Sequence, residues 1–168
     1  MEFPVPKSSW GPGPWHSEPD QTRWTDPTTG MRCAILRDAV SGALCGYVEI
    51  HHPGLCCDFV EINREYCFDV HGDITYSGLL FSSEGKTGWW IGFDCHHAPD
   101  LAPATVAFWS SVVGGSRRSV FELLVDHLNK AGMYQPVYRD LEYVRGQVER
   151  LAAQVAEYER THETRRRA

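Results

Sequence analysis

Past Pro136, the residues Leu141, Val144, Val148, Leu151, Val155 and Tyr158 step by three and four in turn. That spacing lays apolar side chains along one edge of an α-helix. It is the clearest periodic signal in the chain, and it dictates a long C-terminal helix with a narrow stripe to bury. Two and a half heptads stop short of the three or four that define a coiled coil. Two partners for the stripe therefore stay open: a sheet in the same subunit, or the same helix of a second copy in a homodimer. Beyond it, Thr161 to Ala168 carries three consecutive arginines, cations placed where a helix C-terminus favours them, and reads as a solvated tail.

A sheet to receive such a helix is written between Arg23 and Asp94. There short period-two runs alternate with turn signals such as Asp26-Pro27, Ser41-Gly42, Pro53-Gly54 and Glu84-Gly85, the pattern of an antiparallel meander. Strands are expected at Arg32–Arg37, Leu44–Ile50, Val60–Glu61, Tyr66–Val70, Ile74–Phe81 and Thr87–Asp94. In Leu44–Ile50, Leu44, Gly46, Val48 and Ile50 share one face, while Cys45, Tyr47 and Glu49 share the other. One face packs and the other is free to line a cleft. Ser119 and Glu122 have capping-box spacing and open an expected helix that ends near Gly132.

The expected fold is α+β, a twisted antiparallel β-sheet with two C-terminal helices, the last long and coiled-coil-like, and the expected assembly is a homodimer. Its 168 residues, 42% of them hydrophobic, suit one domain that buries a sizeable core. The expected organisation is an N-terminal arm (1–22), mobile or laid over the surface, a sheet core with one helix (23–134), and a C-terminal helix with a basic tail (135–168). No apolar run reaches 18 residues and the start lacks a secretion-signal pattern, so the expected location is cytoplasmic. A net charge of −6 argues against general nucleic-acid binding, which relies on clustered Lys and Arg. The six cysteines show neither C-x-x-C pairs nor the spacing of a zinc finger, and several fall inside apolar runs and read as buried thiols, Cys95 among them.

Chemistry concentrates in four segments: His51-His52-Pro53, "DVHGDITYSG" (69–78), "FDCHHAPD" (93–100) and "YRDLEYV" (138–144). Gly72 permits a bulge or a close backbone approach by a ligand. Along the strand before Cys95, Trp89, Ile91 and Phe93 mark one face, and Trp90, Gly92 and Asp94 mark the other. Two histidines with an aspartate orienting one ring can exchange protons with a reacting phosphate, and no metal is needed for that. Alternatively His52, His71, His97 and Asp94 offer nitrogen and oxygen to Zn²⁺ or Mn²⁺, although no H-E-x-x-H spacing makes a metal specific. Arg139 suits a bidentate phosphate contact. Neither the P-loop nor the dinucleotide-binding glycine pattern occurs, which sets ATP-driven and Rossmann chemistry aside.

Specific stretches carry a resemblance: Glu18-Pro19-Asp20, Gly42 to Val48, His52-Pro53, Asp69 to Gly78, Trp89 to Asp100 and Tyr138 to Val144. They resemble a family of small phage, prophage and mobile-element proteins with the motifs D-V-H-G-G-L-T-Y-S-G and W-W-x-G-F-D-C-A-H-A-G-D. His52, His71, Asp94, His97 and Asp100 match family positions. Departures are His96 for alanine, Pro99 for glycine and Asp73 for the second glycine of the hairpin. The resemblance implies a setting more than a chemistry: proteins of this kind counter host defence by grasping a nucleotide immune signal, by cleaving it, or by blocking a defence complex. Trp90 and Tyr76 as surfaces for a base, with histidines and an arginine at phosphate height, suit the nucleotide options. The expected function is accordingly cleavage of a cyclic nucleotide's phosphodiester, with His71 and His97 as base and acid, Asp94 orienting one ring, Arg139 and His52 holding phosphate, and Asp100 completing the ligand-binding set. A non-catalytic sponge and an acidic protein-binding inhibitor are the alternatives.

Overall fold

The structure, a computed structural model, describes residues 5–81, 87–113, 130, 132 and 135–166. Five strands form one antiparallel sheet: β1 (Gln21–Thr25), β2 (Arg32–Arg37), β3 (Leu44–Ile50), β4 (Tyr76–Phe81) and β5 (Thr87–Asp94), in the order β1-β2-β3-β5-β4. Among the described residues three helices accompany it: α1 (Phe59–Tyr66), α2 (Pro103–Val113) and the 26-residue α3 (Leu141–Arg166), with Lys130 also helical. The class is α+β, with the long terminal helix against the sheet.

α3 lies on β3 and β2. Val144, Val148, Leu151, Ala152 and Val155 are fully buried, in one cluster with Cys33, Ile35, Leu44, Val48, Ile50, Ile91 and Phe93. Each fully buried Val or Leu contributes about 1.5–3 kcal/mol, so the seam is spent inside its own subunit and is not available to a second copy. Gly46 makes the contact close. A Cβ there would stand 2.5 Å from Val148 Cγ2 and 2.6 Å from the Phe93 ring.

Three expected strands stand at the residues expected, β2, β3 and β5, and β4 starts two residues later than expected. The strands expected at Val60–Glu61 and Tyr66–Val70 are not formed. Asp58 accepts from the Glu61 N–H at 3.0 Å and so caps helix α1, whose Ile62 is fully buried. The helix ends at Cys67, in the left-handed region at φ 47°. α2, which starts on Pro103 as helices favour, was not expected, and the helix expected from Ser119 to Gly132 lies outside the described residues apart from isolated positions. The N-terminal arm is laid down on the surface: Trp10 and Trp15 are buried, the Trp15 ring meets Tyr138 edge-on at 5.2 Å, and β1 begins inside the stretch expected to be arm. Among the described residues no helix is long and apolar enough to cross a membrane.

Candidate functional site

β5 ends at Asp94 with Phe93 facing α3 and Asp94 facing the opposite side, as strand alternation requires. The chain then turns, the Asp100 N–H donating to the His97 carbonyl at 2.8 Å, and this brings His97 and Asp100 back to the helix side. A bridge between Asp100 and Val137 holds the approach to α3 alongside and sets Arg139 against the Asp100 carboxylate.

That carboxylate is the centre of the site, its side chain fully buried. Oδ1 accepts from Arg139 Nε at 2.8 Å. Oδ2 bonds His71 Nε2 at 2.8 Å and accepts the His97 backbone N–H at 3.0 Å. Burial alone pushes the Asp100 carboxyl up, but hydrogen bonds from Arg139, His71 and the His97 amide outweigh it and hold the group below its ordinary 3.8.

Each partner is itself positioned. His71 Nδ1 shares a hydrogen bond with Tyr143 Oη at 3.0 Å, and its backbone N–H donates to Gln147 Oε1 at 3.1 Å; Tyr143 and Gln147 are one turn apart on α3. The Arg139 guanidinium sits 4.7 Å over the Tyr143 ring. The His97 ring rests on Gly72, where φ is +64° and any Cβ would stand 2.1 Å from His97 Cε1. The close approach expected at this glycine is made by a histidine ring. His97 Nδ1 lies 3.4 Å from Asp100 Oδ2, near enough for charge attraction, yet it is buried and makes no hydrogen bond. The side chains of His97 and Arg139 are 32% and 23% exposed, and they form the solvent face of the cluster.

Four of the expected residues therefore meet: His71, His97, Asp100 and Arg139. The other four do not join them. Asp94 does not orient either ring of the pair; its Oδ1 accepts from the His96 N–H at 2.9 Å, and it lines a cleft of about 300 Å³ with Asp38, Tyr47, Tyr76 and His96. Tyr76 packs edge-on against Tyr47 at 5.4 Å and donates its hydroxyl to the Leu79 carbonyl, so the Asp94 cleft, not the histidine pair, holds both residues. Trp90 is 4% exposed, a core ring paired across the sheet with Glu49 and Gly78 rather than a surface for a base. His52 accepts from the Gly54 N–H and packs against Tyr158 and His162. Tyr158 is fifteen residues along α3 from Tyr143, about 22 Å at 1.5 Å per residue, so His52 is at the other end of the helix.

Two contributors were not expected, Tyr143 and Gln147. Both lie off the apolar seam, four residues apart, on the one turn of α3 that carries polar groups toward His71. Of the metal-ligand set expected from sequence, only His71 and His97 come together; with Asp100 they offer one ligand atom each, all within 4.8 Å of one another. Cys95 is buried beside them, its thiol pushed up by burial and by the charge of Asp100, which suits a core thiol and not a nucleophile. No known protein family matches the chain, and neither a curated protein nor a solved structure matches it at a significant level.

Proposed function

We propose that the Asp100 cluster receives the phosphate of a nucleotide-type ligand and that the chain retains it, acting as a phage-encoded counter to a nucleotide immune signal. The observation that carries this reading is the state of Arg139. Asp100 and the Tyr143 ring fix its guanidinium, while among the described residues its terminal Nη groups carry no hydrogen bond. They are pre-oriented donors beside a half-buried histidine ring, which is what bidentate phosphate recognition needs. The setting comes from the sequence resemblance, and supplies the ligand class.

Retention is favoured over cleavage by a histidine pair because His71 has both ring nitrogens engaged. A ligand reaches either ring nitrogen only by displacing one of those partners. A single half-buried imidazole that meets solvent, His97 beside the Asp100 carboxylate, supports the second reading, phosphodiester cleavage with one acid-base group. The test is incubation with a panel of cyclic dinucleotides and ADP-ribose, with chromatography before and after heat denaturation. Retention predicts depletion of one nucleotide, its intact return on heating, and loss of depletion in Arg139→Ala. New product peaks would replace retention by cleavage, and no depletion of any compound would sink both.

A further inference from the structure

The Asp100 cluster contains one atom that the protein alone does not account for. His97 Nδ1 is buried and has no hydrogen-bond partner, although a carboxylate oxygen lies 3.4 Å away. An unsatisfied buried nitrogen is costly, and a ring N–H at this place would be expected to bond the carboxylate. We propose that His97 Nδ1, His71 Nε2 and Asp100 Oδ2 together bind a divalent first-row cation, with Zn²⁺ the preferred ion.

Two imidazole nitrogens and one carboxylate oxygen are a donor set that Zn²⁺ takes readily, with a further position left open. The separations suit it. Donors about 2.0–2.1 Å from a tetrahedral ion stand about 3.3 Å from each other, and His97 Nδ1 is 3.4 Å from Asp100 Oδ2. The His71 Nε2 to Asp100 Oδ2 pair, now 2.8 Å apart through a shared proton, opens by about half an ångström when an ion replaces that proton.

Two of the three ligands also have the outer partner that metal sites use to aim their first shell. Tyr143 Oη holds the far nitrogen of His71, Arg139 holds the far oxygen of Asp100, and Gly72 leaves room for the His97 ring to lie against the backbone. With the ion in place, one carboxylate faces a dication and a guanidinium. The cluster then carries net positive charge on the side where His97 and Arg139 meet solvent, so the open position takes an anion. The carboxylates of the cleft across the sheet are less available: Asp38 accepts from Ser41 and Val40, and Asp94 caps His96.

The test uses the full chain, reduced and stripped with a chelator, titrated calorimetrically with ZnCl₂ and, in parallel, with CoCl₂ under visible spectroscopy. The expected result is one equivalent bound, with a Co²⁺ spectrum of nitrogen and oxygen coordination. His97→Ala is expected to weaken binding at least about a hundredfold, beyond the cost of losing an outer partner, while His96→Ala leaves it unchanged. Thiolate charge-transfer bands would place the ion on the exposed Cys56 and Cys67 and overturn the proposal, as would full affinity in a folded His97→Ala or no binding by the intact chain. The Co²⁺ spectrum of the unaltered chain decides the matter even if the variant fails to fold. Because the ion is titrated alone, the result does not depend on whether a nucleotide is the ligand.

Discussion

Two buried charges organise this molecule, and they are built in opposite ways. Arg37, with no side-chain exposure, donates Nε to Asp20 at 2.9 Å, Nη2 to Glu18 at 2.8 Å, and Nη1 to the Gly42 carbonyl and the Tyr138 hydroxyl. Glu18 in turn accepts the Leu141 N–H at the start of α3, and Lys7 closes on Asp20. Its bonds thus end on groups inside the protein. Asp100 is a buried anion whose partners, His97 and Arg139, keep one side toward solvent and leave donors unspent. A closed network ties the N-terminal arm, β2 and α3 into one body, whereas an open one offers its groups to a ligand. Three consecutive residues divide the labour: Tyr138 serves the closed hub, Arg139 the open one, and Asp140 caps α3 by accepting the Tyr143 N–H at 2.8 Å.

The largest expected effect lies in the closed hub. Arg37→Met leaves Glu18 and Asp20 with their shared cation gone, at a cost of about 3–5 kcal/mol, read from urea denaturation with the slope compared to the parent. Ligand and ion binding by the fraction that folds should survive. If the variant loses less than about 1 kcal/mol, the arm is not anchored through this hub and the contrast with Asp100 fails.

Next comes Asp100→Asn, which keeps the shape and removes the charge. Arg139 and His71 lose a charged acceptor, a loss of about 1.5–3 kcal/mol, and binding of ion or phosphate disappears. This variant also carries a pH signature. The Asp100 and Asp20 carboxyls are both held below 3.8 in the folded chain, Asp100 facing Arg139, His71 and His97, and Asp20 facing Lys7 and Arg37. A depressed folded pKa contributes stability in full above the unfolded value and loses it as pH falls through the folded one. Stability should therefore drop as pH goes below 3.8, and drop less steeply in Asp100→Asn. Equal slopes in the two proteins would show that the Asp100 charge is not stabilised by its neighbours.

The two hubs also differ in how far sequence reaches them. β2, β3 and β5 were legible residue by residue, because each is a short apolar run bounded by turn signals, even where both faces are covered. α3 was legible as a seam but not as a partner. A narrow apolar stripe says that something covers it, and the deciding residue, Gly46, is a hundred positions away. α1 was misread as strand because Val60 and Ile62 are β-branched, although Asp58 and Glu61 carry the spacing of a cap. At the site, His97 and Asp100 are three residues apart and join through one turn, while Asp94, just as near in sequence, is sent to the other face by strand alternation. The support from Tyr143 and Gln147, and the tie of the Arg37 hub to the Leu141 N–H through Glu18, arise only when α3 docks.

Gly72→Ala tests the seating of His97. Its φ of +64° strains any side chain, and the new methyl would occupy the place of the His97 ring. The expected cost is more than about 1 kcal/mol, with ion and phosphate binding lost together because the ring is displaced from Asp100. A stable Gly72→Ala chain that still binds would show that His97 is not held by this contact.

The smallest effect should come from His96→Ala, and it is the most discriminating. His96 and His97 are neighbours, but the chain past β5 sends one to each side of the sheet's end. Among the described residues the exposed His96 ring makes one hydrogen bond, to Thr105 at 3.4 Å, whereas its backbone N–H, which any residue supplies, makes the bond to Asp94. Removing the ring should shift the melting temperature by no more than about 2 °C and leave the Asp100 cluster intact. Should His96→Ala cost as much binding as His97→Ala, the two faces would be acting as one site, and the Asp94 cleft, with Tyr47 and Tyr76 beside it, would have to be joined to the ligand surface.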